Sequence, residues 1–345
     1  MRDALEQLLA DQPLSQSQAE SAFETILCGE ADPAQIAAML SLIQRRGARV
    51  DELVGAARVM RRHVEPVPTD ALPAGTKVLD TCGTGGAAKT FNISTIAAII
   101  AAAAGRDRGV VVAKHGNRSR SGRGSAEVLE RLGVNIDADP ETQARSLAEV
   151  GLSFSFAIRH HPAMKHAAPV RQALGFPTIF NLLGPLTNPA GATRQLLGVY
   201  AESLVEPMAE ALARLGAERA MVVFARDGLD ELSTTEATVI ADVSAGVVTM
   251  RTLDAESIGL KRARLDDLRA RDLDDAAALA HAILSGESSR QITPARDIAL
   301  LNAAAALVVA EAAQDLTRGL DQARQAVETG AAARTLRDLA RVSNH

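Results

Sequence analysis

Two glycine-rich segments carry residue types that bind phosphate, and the first follows a short apolar stretch. It reads Thr81-Cys-Gly-Thr-Gly-Gly86, and its glycines allow the backbone to turn N–H groups toward an anion. Residues 92–95 then predict a helix start, where free N–H groups and the helix dipole favour phosphate. The segment lacks the lysine of a P-loop and the spacing of a dinucleotide fingerprint. We expect a phosphate-binding loop; a plain strand–turn–helix joint is the alternative.

The second segment, residues 114–125, begins directly after another apolar stretch. It contains four lysine or arginine residues and no acidic residue. Lys114 is therefore predicted at the carboxyl edge of a sheet, where ligands bind in open α/β folds. Ser125 is predicted to cap the next helix, whose first turn contains Glu127. An anionic ligand explains why these charges follow a strand; a solvated basic turn explains only the charges.

A third cationic group lies between Arg159 and Arg171, with three histidines, one lysine and no acid. The histidines at 160, 161 and 166 form no helical i, i+4 pair, and no acid or cysteine nearby completes a zinc ligand set. We interpret the segment as an anion-binding wall in which Arg171 grips a carboxylate through two N–H groups. For each histidine, a partly buried and hydrogen-bonded imidazole is the alternative.

Adjacent carboxylates, Asp230 and Glu231, follow an apolar strand predicted at 220–224. Such neighbours repel each other unless water or a cation separates them, and Mg²⁺ is commonly held by one or two carboxylates plus substrate phosphates. An ordinary acidic loop is the alternative. Together with the two phosphate-binding segments, the pair favours a magnesium-assisted transfer of a phosphorylated sugar.

The elements that must position these residues follow two patterns. The first 65 or so residues predict three or four amphipathic helices, one of them capped by Asp32 and ending before Gly47. Two others are predicted at 17–28 and 50–64, and a proline-rich linker follows at 66–73. Apolar strands at 78–80, 110–113, 153–157, 196–200 and 220–224 then alternate with helices near 96–104, 126–132, 141–150 and 204–215. A hairpin at 238–242 and 246–252 precedes about 70 helical residues.

This alternation predicts an α/β fold with two domains. We expect a small all-helical N-terminal domain and a larger α/β domain with a mostly parallel central sheet flanked by helices. The helical domain is predicted to comprise residues 1–66 and the crossover 162–189, and the α/β domain residues 74–161 and 190–345. Five prolines in the crossover predict little regular strand or helix there.

Composition limits the function classes. The net charge is −5, the hydrophobic content 47% and the aromatic content 2%, which predicts a helix-rich protein without nucleic-acid or membrane partners. The N-terminus has early acids and no long apolar run, so no secretory signal is predicted. Cys28 and Cys82 have neither a disulfide pattern nor metal-ligand spacing and are interpreted as reduced thiols. We expect a cytoplasmic protein.

In this setting the motifs resemble the anthranilate phosphoribosyltransferase family. The resemblance rests on residues 81–86, 90–95 and 114–118, on 179–189 (Ile-Phe-Asn-Leu-Leu-Gly-Pro-Leu-Thr-Asn-Pro) and on 228–231 (Gly-Leu-Asp-Glu). It covers the chain from the N-terminal helices to the last ones. It implies transfer of the phosphoribosyl group of 5-phosphoribosyl 1-pyrophosphate (PRPP) to anthranilate, a step of tryptophan biosynthesis. It also implies a homodimer formed through the helical domain, with the active site between the domains.

The resemblance further implies a role for each matched residue. Ser94, Asp230 and Glu231 are expected to bind Mg²⁺, and Gly83, Asn117 and Arg171 to bind anthranilate. His161 is expected nearby as a weak catalytic candidate, with no obligate acid or base. The residues expected to bind PRPP are Gly83, Gly86, Ala87, Thr90, Asn92, Ile93, Ser94, Thr95, Lys114, His115, Gly116, Asn117, Arg118, Ser119, Arg120, Ser121, Gly122 and Ser125.

The chain departs from the family pattern at three places. Ala87 replaces the usual aspartate, and the first loop is one residue shorter; the second loop is also about one residue short around 121–124. Pro177 stands where an arginine is common. We expect altered affinity for substrate or Mg²⁺ with function retained. Two alternatives are a pyrimidine-nucleoside phosphorylase-like enzyme, which needs no pyrophosphate-bound magnesium, and a non-catalytic nucleic-acid-binding paralogue, which would have a basic surface.

Overall fold

The computed structural model describes residues 1–86, 90–119 and 122–345. Within these ranges the chain forms fifteen α-helices and seven β-strands. The helices are α1 (Arg2–Leu9), α2 (Gln16–Leu27), α3 (Pro33–Arg46), α4 (Val50–Arg62), α5 (Ile93–Gly105), α6 (Ser125–Arg131), α7 (Pro140–Val150), α8 (Ala157–His160), α9 (Ala168–Leu174), α10 (Phe180–Leu183), α11 (Val205–Arg214), α12 (Leu273–Leu284), α13 (Thr293–Val309), α14 (Leu316–Glu328) and α15 (Ala331–Ser343). The strands are β1 (Lys77–Gly83), β2 (Val110–Gly116), β3 (Leu152–Phe156), β4 (Arg194–Gly198), β5 (Arg219–Ala225), β6 (Thr238–Ser244) and β7 (Val247–Leu253).

Helices α2, α3 and α4 form where the sequence predicts them, and α1 completes the predicted three or four N-terminal helices. The Asp32 side chain accepts a hydrogen bond from the Ala34 N–H at 2.8 Å, and Pro33 occupies the first turn of α3. Gly47 ends that helix with φ +87°, a conformation that glycine adopts without strain. The predicted capping signals are therefore confirmed, and they set the length of α3.

The seven strands form one sheet in the order β3-β2-β1-β4-β5-β6-β7. The first five are parallel, and β5, β6 and β7 pair antiparallel. This confirms the mostly parallel sheet and the predicted hairpin. Strand order reverses between β1 and β4, because β2 and β3 lie on one side of β1 and β4 and β5 on the other. The carboxyl ends of β1 and β4 thus form the point where ligands bind in open α/β sheets.

Helices cover both faces of the sheet. Helices α5 and α13 pack together in a core with apolar side chains of β1, β2 and β3. The side chains of α11 pack on the opposite face and share a second core with α4 of the helical domain. The apolar pattern of α5, buried along nearly its whole length, follows from this position between sheet and outer helices. None of the helices in the described ranges is long and apolar enough to cross a membrane.

The crossover at 162–189 differs from its prediction, because it contains two short helices, α9 and α10. Pro169 lies in the first turn of α9, where a backbone N–H is not needed for the helix. Gly175 ends α9 with φ +71°. The Phe180 ring of α10 packs edge to face on Phe23 of α2, with 5.4 Å between ring centroids. Proline and glycine therefore mark the ends of these helices. The ring contact shows that the crossover packs on the helical domain.

Candidate active site

The carboxyl edge of the sheet brings together residues from three distant parts of the sequence. Ser94 lies in the first turn of α5, and its backbone N–H donates a hydrogen bond to Glu231 Oε1 at 3.0 Å. Lys114, within β2, places its Nζ 3.4 Å from Ser94 Oγ. The carboxylate pair, the start of α5 and the lysine thus form one polar cluster at the end of β1.

Two strand-end glycines make room for the carboxylate loop. A Cβ atom at Gly83 would lie 2.5 Å from Asp230 Oδ2, and a Cβ at Gly198 only 1.6 Å from the Asp230 carbonyl oxygen. These residues are paired neighbours at the ends of β1 and β4. The close approach of the Asp230 backbone therefore requires glycine at 198, whereas a Cβ at 83 would displace the Asp230 carboxylate.

The charges of the cluster are strongly perturbed. The Lys114 side chain is buried and its Nζ donates to the Thr81 carbonyl at 2.5 Å; burial lowers the pKa of Lys114, and the charge of Asp80 opposes this shift. Burial raises the pKa of Asp230. Burial, with the neighbouring Asp230 charge, raises the pKa of Glu231 to about 8. The cluster therefore disfavours two ionised carboxylates unless a cation joins them.

The donor set of this cluster fits Mg²⁺. Asp230 and Glu231 supply carboxylate oxygens and Ser94 a hydroxyl, and Mg²⁺ prefers such hard oxygen ligands. A divalent cation would also remove the repulsion that raises the pKa of Glu231. The chemistry and charge of the residues present would therefore suit such an ion.

A buried carboxylate organises the second loop. Glu127 accepts hydrogen bonds from the backbone N–H groups of Ser119 at 3.2 Å and Gly124 at 2.9 Å. Helix α6 begins at Ser125 with Gly124 at the cap position, so the prediction that Ser125 caps this helix was wrong. The reason is that the Ser125 hydroxyl donates to the Asn117 carbonyl at 3.4 Å. The Glu127 carboxylate instead accepts the hydrogen bond from the backbone N–H of Gly124 at the start of the helix.

Two arginines of the second loop are held by other protein groups. Arg118 forms an ion pair with Glu130 at 3.0 Å, and its guanidinium lies 5.7 Å from the Phe156 ring centroid. Arg123 donates to the Ala270 carbonyl. Arg118 would thus have to release Glu130 before it could contact a phosphate. Lys114, in contrast, already lies beside the start of α5.

The remaining residues predicted to bind PRPP lie along the same edge or next to it. Ile93 and Thr95 are buried in the first turn of α5, His115 and Gly116 end β2, and Asn92 Nδ2 donates to the Arg123 carbonyl at 3.1 Å. Others lie in the connecting segments: Gly86 with φ +95°, Gly122 with φ +69°, and Thr90. Ala87, Arg120 and Ser121 lie outside the described residues.

Three histidines near the cluster are neutral because they are buried. The His115 and His161 rings are buried with 5.1 Å between their centroids. Burial lowers the pKa of His161 to about 4 and that of His115 well below its usual value. His160 is a structural imidazole, with Nδ1 2.7 Å from the Glu65 carbonyl. Burial also lowers the pKa of His160, so at neutral pH neither His160 nor His161 contributes the positive charge expected of a cationic wall.

Arg171 lies on α9 of the crossover, which packs on α3 of the helical domain. Its guanidinium is 5.3 Å from the ring centroid of Phe180, and Phe180 packs in turn on Phe23 of α2. The stacked guanidinium is oriented by this ring. The crossover therefore carries a positioned cation that neither β1 nor β2 supplies.

Sequence reasoning missed Asp80, which lies beneath the site. It is fully buried; its Oδ1 accepts from the His115 N–H at 3.1 Å and its Oδ2 lies 3.3 Å from Gln195 Nε2. Gln195 also donates to the Pro185 carbonyl at 2.6 Å. These bonds join β1, β2 and β4 just below the cluster. The signal that could have revealed this role is an acid at the end of an otherwise apolar strand pattern.

Comparison with known proteins identifies two matching family domains. Residues 75–333 match the glycosyl transferase family a/b domain, and residues 2–64 match the helical bundle domain of that family. The anthranilate phosphoribosyltransferase of Rubrobacter xylanophilus is 48% identical over 99% of this chain and 97% of its own length.

Solved structures show the same similarity. Anthranilate phosphoribosyltransferase from Thermus thermophilus is 39% identical with a TM-score of 0.90, covering 99% of this chain and 100% of its own. The enzyme from Saccharomyces cerevisiae, in complex with PRPP and Mg, is 26% identical with a TM-score of 0.87, covering 99% and 97%.

Proposed function

The chain belongs to the glycosyl transferase family, and we propose that it transfers the phosphoribosyl group of PRPP to the amine of anthranilate. The products are N-(5-phosphoribosyl)anthranilate and pyrophosphate, in tryptophan biosynthesis. The observation that carries this proposal is the single cluster of Ser94, Lys114 and the Asp230–Glu231 pair beside two glycine-rich loops. The full-length relatives with this activity support it.

In this proposal the ends of β1 and β2 bind PRPP. The N–H groups of residues 83–86 and the start of α5 face anionic oxygens, and Lys114 lies beside them. Asp230, Glu231 and Ser94 hold Mg²⁺, which supplies positive charge for the departing pyrophosphate when bound. Lys114, held by the Thr81 carbonyl, adds a fixed positive charge at the same edge.

The acceptor amine needs little activation by the protein. Anthranilate is an arylamine and is largely unprotonated at neutral pH, so its lone pair is available for attack at the anomeric carbon. Arg171, Gly83 and Asn117 bind the acceptor, with the Arg171 guanidinium on its carboxylate. His161, whose pKa is about 4, is neutral at pH 7 and is not an acid; its buried Nε2 has no hydrogen-bond partner within the described residues.

The domain assignment is part of the proposal. Residues 1–66 with 162–189 form the helical domain and residues 74–161 with 190–345 the α/β domain, supported by the Phe23–Phe180 contact. Approach of the two domains would align the amine with the sugar and exclude water that hydrolyses PRPP. We further propose that the protein acts in the cytoplasm as a homodimer formed through the helical domain.

The proposal is tested by the fluorescence of anthranilate mixed with the purified protein, PRPP and Mg²⁺. The signal is expected to fall only when all components are present. Arg171→Ala is expected to raise KM for anthranilate about 10- to 100-fold, since a charged hydrogen bond is lost, with a smaller effect on KM for PRPP.

Arg269→Ala is the matched control, because this arginine is exposed and pairs only with nearby Asp266 at 3.4 Å among the ion pairs of the described residues. It should behave like the wild type. No loss of fluorescence across a wide range of Mg²⁺ concentration would refute the transferase activity. Phosphorolysis of a pyrimidine nucleoside or binding of nucleic acid would then identify the alternative.

A further inference from the structure

Outside the proposed active site, three side chains with metal-binding atoms meet on the helical domain. Glu24 and Cys28 lie one turn apart at the end of α2, and His63 follows the last residue of α4. One ligand atom from each lies within 4.8 Å of the other two. His63 Nε2 is 2.5 Å and Cys28 Sγ 3.5 Å from Glu24 Oε1.

One of these separations matches what a tetrahedral ion imposes, and the other is shorter. With bond lengths of about 2.0–2.3 Å to zinc, neighbouring oxygen and sulfur ligands lie about 3.6 Å apart and oxygen and nitrogen about 3.4 Å apart. The sulfur–oxygen distance already matches. The nitrogen–oxygen distance must open by about 0.9 Å, a side-chain adjustment for two residues that are only half-buried.

The surroundings orient the glutamate for such a role. Arg62 Nη2 donates to Glu24 Oε2 at 2.7 Å, so this oxygen is held while Oε1 faces Cys28 and His63. A hydrogen bond to the outer oxygen of a ligating carboxylate is a common feature of metal sites. Cys28 is exposed, which leaves access for an ion and for water as a fourth ligand.

We propose that Glu24, Cys28 and His63 bind a zinc-class divalent metal ion on the helical domain. Thiolate and imidazole ligands select such an ion over Mg²⁺. Binding displaces the thiol proton of Cys28, and sulfur, nitrogen and oxygen then coordinate the ion. His63 lies three residues before the linker at 66–73, and between them the Glu65 N–H donates to the His160 carbonyl at 2.8 Å. The ion therefore ties α2 to the point where the chain leaves the helical domain.

Cobalt(II) is the spectroscopic probe for this site. The reduced full-length protein is titrated with Co²⁺ in excess Mg²⁺, which occupies the oxygen-only site. We expect one equivalent to produce a thiolate-to-cobalt charge-transfer band and the intense visible bands of a tetrahedral ion. Zn²⁺ should displace the cobalt, remove both signals and raise the melting temperature.

Variants identify the ligands. Cys28→Ser and His63→Gln should each weaken Zn²⁺ binding at least about 100-fold, because even outer-shell changes cost about 10- to 100-fold. His281→Gln changes an exposed histidine of α12 and should bind like the wild type. Anthranilate turnover with Mg²⁺ should persist in Cys28→Ser, which shows that this variant folds.

Two results would overturn the proposal. Absence of a charge-transfer band in the wild type would leave the cluster as an ion pair of Glu24 with Arg62 and a hydrogen bond between Glu24 and His63 only. A band that persists in Cys28→Ser would assign the thiolate to Cys82. Neither result depends on whether the protein transfers phosphoribosyl groups.

Discussion

In the Asp230–Glu231 pair, the surroundings of Glu231 change the pH at which its carboxyl group ionises. Burial and the adjacent Asp230 charge raise the pKa of Glu231 from 4.5 to about 8. In the metal-free protein Glu231 therefore keeps a proton at a pH where the unfolded chain has lost it. Binding of Mg²⁺ requires loss of that proton, so metal affinity and folding stability depend on pH in opposite directions.

The Glu231→Gln variant tests this relation. Because the folded-state pKa is raised, the contribution of Glu231 to stability is present below about pH 4.5 and is lost as pH rises toward 8. The free energy of unfolding of metal-free wild type should fall between pH 5 and 8 by about 2–4 kcal/mol more than that of the variant. Urea unfolding at each pH measures this difference.

The effect of Mg²⁺ on the melting temperature is the second measurement of this relation. It should raise the melting temperature of the wild type more at pH 8 than at pH 5, and have little effect on Glu231→Gln. Glu236→Gln, at an exposed position in the same loop, should keep the wild-type behaviour. Equal pH slopes in wild type and Glu231→Gln would contradict the assignment.

At the level of elements, the ends of β1 and β4 determine where the carboxylate loop lies. Their terminal glycines are paired in the sheet, and Asp230 approaches both of them. The proposed phosphate-binding end of the sheet and the proposed metal-binding loop are therefore coupled through the Asp230 backbone at Gly198 and the Asp230 side chain at Gly83.

Gly198→Ala is expected to break this coupling. The new Cβ would lie 1.6 Å from the Asp230 carbonyl, so the loop must move. We expect a loss of about 3 kcal/mol or more in the free energy of unfolding, as for other severe steric changes, and at least about 100-fold lower kcat/KM because the metal ligands shift.

Gly184→Ala is the matched control for this substitution. Gly184 has a helical φ of −50°, and a Cβ there would meet nothing within 4 Å. Its unfolding free energy should change by less than about 1 kcal/mol, with activity retained. Wild-type stability and activity of Gly198→Ala would show that the carboxylate loop tolerates displacement.

For the whole molecule, the proposed dimer makes the helical domain an assembly surface as well as one side of the active site. Leu9 at the end of α1 is 73% exposed, and Phe176 in the crossover 38%. Both lie in the proposed helical domain, where exposed large apolar side chains favour a protein interface.

Light scattering during size-exclusion chromatography tests this assembly. The wild type should have twice the chain mass, and Leu9→Lys should shift it toward the monomer by placing a charge in an apolar contact. Val247→Lys alters an equally accessible apolar residue, 64% exposed, on β7 of the α/β domain and should remain dimeric. A wild type with the mass of one chain would disprove the dimer.

Much of the fold was predictable because its signals are local. Asp32 and Gly47 bound α3 through their own backbone and side-chain bonds, and alternating apolar segments indicate parallel strands. The position of Lys114 after such a segment also indicated the site at the sheet edge. The short helices α9 and α10 differ from the prediction, because proline and glycine in the crossover predict irregular structure although here they only limit the helices.

The properties that depend on distant neighbours came only from the tertiary structure. Lys114, Ser94 and Glu231 meet because β1, β2 and β5 end at one edge, and their pKa shifts arise from burial that no short segment encodes. His63 lies 35 positions after Cys28 in the sequence. Their spacing along the chain therefore did not indicate the proposed metal site that they share in the folded structure. Residue type and local pattern specify which chemistry is available, and packing decides which groups meet and with what charge.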